Sequence, residues 1–276
     1  MRYGFVLPYS DARAVPRLAA AAEDAGWDAF FVWESLYGVD AWVSLGAAAM
    51  TTSRIRLGTM LTPPSRMRPW KLASETVTLD VLSGGRVQLA VGLGAPETGY
   101  AEFGEVTDRR TRAELLDESL DIITGLWTGK PFSYDGKHYH LRPNPFPLVP
   151  PPPVQQPRIP IWVVGLWGSR RSMARVARYD GILPVVREDG PRASPAVVTE
   201  IVDWARAERE ADSPFDIVIE GETAGLSPVA AADAVRPYAD AGATWWIESM
   251  WDAQDGSAAS RERIDRRLAQ GPPSVG

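Results

Sequence analysis

Residues 78–94 read Thr-Leu-Asp-Val-Leu-Ser-Gly-Gly-Arg-Val-Gln-Leu-Ala-Val-Gly-Leu-Gly. The stretch holds the end of one element, a turn and the whole of the next. Pro69 opens a helix over residues 69–82, at the position where proline is tolerated. Leu72, Thr76, Leu79 and Leu82 recur on one side of that helix, and Ser83-Gly84-Gly85 stops it. Residues 87–91 are a short apolar run of strand length, closed by Gly92-Leu93-Gly94. A helix turning through glycines into a buried strand is half of a βαβ unit, which implies a parallel sheet.

The same rhythm extends outward in both directions. Towards the N-terminus, strands are predicted over residues 3–7, 29–33 and 55–61, with helices over 14–25 and 41–50 between them. Towards the C-terminus, the longest helix spans 109–127, with Leu115, Leu116, Leu120 and Ile123 on its inner face. Residues 128–160 then break the pattern with the turn signal Tyr134-Asp135-Gly136-Lys137 and the proline run 150–153. We read them as an excursion over the barrel, between the fourth helix and the fifth strand. Four further strands (159–164, 181–186, 215–220, 244–249) alternate with helices over 169–178, 194–209, 228–241 and 257–268. Eight strand–helix units in about 250 residues are the arithmetic of an α/β fold of the (β/α)8 TIM-barrel type. The alternative is a doubly wound open sheet; apolar strands at both chain ends favour closure. One domain covering residues 1–276 is expected.

Composition narrows the chemistry. The chain has 276 residues and a net charge of −6, which disfavours nucleic acid as a partner. No apolar run approaches the length of a membrane span, and residues 1–8 are too short for a signal peptide, so a cytoplasmic protein is expected. The absence of cysteine removes disulfides, thiolate catalysis and iron–sulfur clusters. His138 and His140, the only histidines, share one segment, so a three-histidine metal site is excluded and no metal is expected. Lysine occurs only at Lys71, Lys130 and Lys137, and arginine supplies nearly all positive charge.

In such a barrel the site lies at the C-terminal ends of the strands. Those ends read Trp33-Glu34-Ser35, Gly58-Thr59-Met60-Leu61-Thr62, Gly92-Leu93-Gly94, Gly165-Leu166-Trp167-Gly168-Ser169, Glu220-Gly221-Glu222 and Trp246-Ile247-Glu248-Ser249. They hold no histidine, lysine or cysteine. A rim of glycine, apolar and aromatic residues suits a cofactor that brings its own reactivity. It does not suit a Schiff-base aldolase or a metal hydrolase. Gly165 to Ser169 joins a strand to a helix and could hold phosphate at the helix start, with Ser169 as cap; an ordinary tight turn is the alternative. Gly92 and Gly94 are weak as a phosphate motif and fit close approach of a flat ring to the backbone.

Taken together, Gly58-Thr59-Met60-Leu61-Thr62-Pro63, Arg68-Pro69-Trp70-Lys71-Leu72-Ala73, Thr78 to Arg86 and Val91-Gly92-Leu93-Gly94 resemble the bacterial-luciferase-like family. Tyr134 to Tyr139, Gln156 to Val163 and Asp180-Gly181 continue the resemblance in order. It implies a barrel oxidoreductase or monooxygenase using F420 or FMN, and a homodimer. It implies a non-proline cis peptide at Met60-Leu61, forming a bulge behind the cofactor ring, and a phosphate loop at Gly165 to Ser169. Where many F420-using members have Asp-His at the end of the second strand, this chain has Glu34-Ser35. Glu34 thereby becomes the best-placed titratable group, unless it caps the next helix or pairs with an arginine.

The expectation is therefore a flavin-type oxidoreductase acting on a small-molecule substrate. Glu34 and Ser35 polarise or protonate that substrate. Met60, Leu61, Gly92, Leu93, Gly94, Gly165, Trp167, Gly168 and Ser169 hold the cofactor, and Trp33 and Trp246 line the substrate path. With reduced FMN and oxygen the same site would be a monooxygenase. The rival readings are a non-catalytic flavin-binding barrel and a cofactor-free isomerase or lyase using Glu220 and Glu222.

Overall fold

The computed structural model describes residues 1–9, 11–144, 151–187, 192–209 and 214–275. Strands β1 (Arg2–Leu7), β2 (Ala29–Val32), β3 (Arg56–Thr62) and β4 (Val87–Val91) alternate with helices α1 (Ala14–Asp24), α2 (Ala41–Thr51) and α3 (Pro69–Ser83). Helix α4 (Arg109–Leu126) follows, then a small hairpin of β5 (Tyr134–Asp135) and β6 (His140–Leu141). The alternation resumes with β7 (Ile161–Leu166), α5 (Arg170–Val176), β8 (Gly181–Val185), α6 (Pro195–Glu208), β9 (Asp216–Gly221), α7 (Pro228–Asp240), β10 (Trp245–Ser249) and α8 (Ala258–Ala269). The eight long strands are parallel and close in the order β1-β10-β9-β8-β7-β4-β3-β2. The protein is a (β/α)8 barrel.

The glycine turn at 83–85 works as its composition implies. Gly84 caps α3 in the left-handed region at φ 68°, and the Gly85 amide donates to the Asp80 carbonyl at 2.8 Å. Arg86 then reaches across to the end of α2. Its guanidinium donates to the carbonyls of Ala49 (3.1 Å), Thr52 (3.0 Å) and Ile55 (2.7 Å), satisfying groups the helix end leaves open. The buried Asp80 carboxylate accepts from Gln155, both from the backbone amide (3.1 Å) and from Nε2 (2.8 Å), and so ties down the end of the excursion.

The hairpin of the excursion packs on α4. The Glu118 carboxylate of α4 accepts the amides of Lys137, His138 and Tyr139 at 2.7 to 3.2 Å. Leu115 and Ile122 of the same helix are buried against Tyr139. Pro150 of the proline run lies outside the described residues. The fifth barrel strand begins at Ile161, two residues later than its apolar run suggests. Pro160 has no amide to enter the ladder, and its carbonyl instead accepts from Leu89 at 3.1 Å.

Strand side chains alternate between two layers. Phe5, Leu7, Phe30, Leu57, Leu89, Ile182, Ile217 and Trp246 pack outward against the helices. Val6, Phe31, Ala90, Trp162, Leu183, Val218, Trp245 and Ile247 fill the interior. The lower end is plugged by Trp162 and Trp245, edge to face at 5.1 Å. Asp216 there accepts from Arg2 (2.8 Å) and from the Trp162 indole (3.0 Å). What remains open is the C-terminal end.

Helix α8 is pinned to the barrel by a buried ion pair between Glu248 on β10 and Arg267, at 3.0 Å. The Thr223 amide (2.7 Å), the Thr223 hydroxyl (2.8 Å) and the Trp246 indole (3.2 Å) complete the shell of the Glu248 carboxylate. Removing one partner of a buried pair strands the other charge. Glu248→Ala is therefore expected to lower the unfolding free energy by about 3–5 kcal/mol in urea denaturation. A change below about 1 kcal/mol, the range of an exposed pair, would refute the role of this lock.

Candidate active site at the barrel mouth

A cavity of about 1780 Å³ opens over the C-terminal strand ends. Sites for drug-sized ligands are roughly 300–1,000 Å³, so this one has room for two molecules side by side. Of the residues expected from the sequence, Trp33, Glu34, Met60, Leu61, Leu93, Gly94 and Ser169 line it together.

Glu34 lies two residues beyond β2, where the chain leaves the barrel. Its carboxylate accepts the Thr62 hydroxyl, which in turn shares a 2.7 Å hydrogen bond with Thr59. Arg66 donates to the Glu34 carbonyl at 3.0 Å but forms no ion pair with the carboxylate. Burial pushes the Glu34 carboxyl up to about 7, outweighing the pull of the Thr62 bond and of Arg66. A group with that value is populated in both protonation states at neutral pH, as a general acid–base must be.

Beside it, β3 loses register with β4 between Thr59 and Thr62, and the Met60–Leu61 peptide is cis. The loop after β4 approaches the bulge closely. A Cβ on Gly94, whose φ is +72°, would stand 1.9 Å from the Tyr100 hydroxyl. Arg112 of α4 fixes that loop by donating to the carbonyls of Leu93 (2.6 Å) and Gly94 (3.1 Å). Tyr100 Oη and Arg66 Nε are buried in this wall with no hydrogen-bond partner among the described residues. Such atoms carry a desolvation cost within the protein.

The other expected residues lie elsewhere. Trp246 faces outward into the helix layer, 1% exposed, with its ring 5.6 Å from that of Tyr238. It does not line the substrate path. Trp167 also turns away; its indole donates to Glu200 at 3.0 Å and its ring meets Trp204 at 6.3 Å. Gly165 is an outward position, where a Cβ would meet Ile182 and Val176. Gly92 sits beneath Leu61 and Val164. Ser35 is outside the lining and its hydroxyl faces Gly38 in its own loop. Gly168, at φ +78°, forms the turn before α5 without lining the cavity. Ser169 occupies the cap position of α5 but makes no cap bond, which leaves its hydroxyl to the cavity.

The mouth also holds Arg66, Tyr100 and Trp251, which the strand-end reading did not assign to it, together with the strand-end residues Ser249 and Glu220. Burial pushes the Glu220 carboxyl up against bonds from Ser249 and Trp251. Glu222, its supposed partner, lies 3.5 Å from Arg263 on α8.

The family described as luciferase-like monooxygenase matches residues 3–271 of the chain. An uncharacterized protein of Mycobacterium tuberculosis is 32% identical over 296 aligned positions, covering 98% of this chain and 99% of that one. An F420-dependent secondary alcohol dehydrogenase, solved with an F420-acetone adduct, superposes with a TM-score of 0.74 at 17% identity, over 100% of this chain and 99% of that one. The FMN-bound oxygenating constituent of 3,6-diketocamphane monooxygenase from Pseudomonas putida gives 0.64 at 20% identity, over 85% and 70%. At these identities the structural likenesses carry the fold.

The raised Glu34 value has a consequence for stability. A carboxyl that is harder to ionise in the folded chain favours folding below the unfolded value of 4.5, and that contribution is lost as pH rises towards 7. The wild type should therefore lose stability relative to Glu34→Gln between pH 4.5 and 7, read from urea midpoints of both proteins. Parallel curves would show that Glu34 ionises normally.

Proposed function

The chain belongs to the luciferase-like monooxygenase family, and from that membership and the mouth geometry we propose an F420- or FMN-dependent oxidoreductase acting on a small organic substrate. The observation that carries this reading is the bulged Met60–Leu61 segment lining a two-molecule cavity beside one proton-handling carboxylate. The residues present fit a flat heteroaromatic coenzyme. Leu61, Leu93 and Gly94 offer an apolar wall on one side of the mouth. Ser169 with Arg171, both at the cavity lip, would take the coenzyme phosphate, with the Gly168 turn behind them.

Either coenzyme, when bound, supplies hydride transfer at its ring. The chain's own work is positioning and proton handling. Glu34 takes a proton from, or returns one to, the heteroatom of the substrate. The Thr62 hydroxyl steadies its charged form, and Thr59 holds Thr62. Met60, Leu61 and Trp33 keep water from the reacting face. The homodimer belongs to the same proposal. Val43, Met50, Val81 and Leu82, exposed on α2 and α3, support it, and light scattering on the eluted protein tests it.

Fluorescence titration with F420 and FMN side by side should show saturable binding of at least one. Glu34→Gln should keep that binding while turnover falls by about 10²–10⁴-fold, the usual loss of a general acid–base. Unchanged turnover would remove Glu34 from the chemistry, and binding of neither coenzyme would end the redox reading.

A further inference from the structure

Glu220 is a second carboxylate in the same cavity, and the proton handling assigned to Glu34 leaves it without a task. Its place follows from strand parity. Val218, two residues before it on β9, belongs to the barrel interior, so Glu220 points inward at the top of that strand. In the ring order β1-β10-β9-β8-β7-β4-β3-β2, β9 stands four strands from β3 in either direction. Glu220 therefore faces the Met60–Leu61 bulge across the full width of the mouth.

The local chemistry leaves Glu220 with spare acceptor capacity. An ionised carboxylate has about four lone-pair sites. The protein offers it the Ser249 hydroxyl, 3.2 Å from Oε1, and a bond from the Trp251 side chain. Ser249 divides its single proton between Glu220 and the Ile247 carbonyl, also at 3.2 Å. No Lys or Arg among the described residues pairs with Glu220, although four of the six other cavity carboxylates have such a partner: Glu222 and Asp252 share Arg263, Asp117 has Arg175 and Glu114 has Lys137. Arg192 draws the Glu220 carboxyl down electrostatically without forming an ion pair, and lies over the Trp246 ring at 5.6 Å. A carboxylate so placed is desolvated without an ion-pair partner, a cost that an incoming donor relieves.

We propose that Glu220, with Ser249 beside it, is the specificity-determining anchor of the substrate: it binds a hydrogen-bond donor, an ammonium or a hydroxyl, on the end of the molecule away from the reacting atoms. The assignment rests on the coenzyme occupying the β3 side of the cavity. It makes the substrate a small molecule with an apolar middle and a donor at its far end. When Glu220 is ionised, substrates ending in a carboxylate or phosphate on that side are disfavoured by like charge.

The test uses the full-length chain without added coenzyme and four probes of one shape: benzylamine, benzyl alcohol, toluene and benzoate. Ligand-observed NMR should show the amine, the alcohol or both binding at least tenfold tighter than toluene and benzoate. The amine-to-alcohol ratio tells an ammonium site from a hydroxyl site. Glu220→Leu should erase the preference, since it leaves no acceptor at that position, while F420 and FMN titrations stay at wild-type values. Ser249→Ala should weaken the preference without abolishing it. Wild-type protein that binds toluene or benzoate as well as the donors overturns the anchor, whatever the variants do. So does a folded Glu220→Leu that keeps the preference. Wild-type protein that holds the donor preference but binds neither coenzyme overturns the redox reading alone.

Discussion

A β-strand turns successive side chains to opposite faces, and closing eight strands into a barrel makes one face an interior and the other a bed for helices. Almost everything about this site follows from that alternation. Glu220, Ser249 and Met60 fall on the inner face and meet at the mouth. Trp246 and Glu248, one residue away from inward positions on β10, fall on the outer face. There Glu248 becomes half of a structural lock, while Glu220 on the neighbouring strand keeps a carboxylate open to the cavity. A shift of one residue would exchange these roles.

Periodicity and glycine punctuation were enough to read the barrel from the amino-acid order. Helices with an apolar stripe, such as α1 and α4, and strands ending at glycine or proline left little freedom in their bounds. The site was legible in part. Glu34, Met60, Leu61, Leu93 and Gly94 lie where the strand ends point. Trp167 did not follow because it lies in the turn after β7, beyond any strand period; Trp246 did not because in a strand buried on both faces apolar residues occur at every position and parity leaves no mark. Gly165 failed for the same reason, since its missing side chain serves the packing of Ile182 and Val176. Arg66, Tyr100 and Trp251 come from loops and short helical turns. No local pattern announces which way such side chains turn.

The electrostatics of the mouth set it apart from the rest of the molecule. Elsewhere, buried carboxylates are met: Asp80 by Gln155, Glu118 by three amides, Glu248 by Arg267. At the mouth, Glu34 and Glu220 are both pushed towards their neutral forms by burial, with hydroxyl or indole donors and no ion pair among the described residues. Poorly compensated charge costs stability, and retaining it in two inward positions of one cavity is the usual mark of a site shaped for a ligand.

The indole plug of Trp162 and Trp245, tightened by Arg2 and Asp216, seals the base of the barrel. With its base closed, the cavity is reached through the mouth alone. The two molecules it has room for share one entrance, and solvent reaches the space between them from that side only.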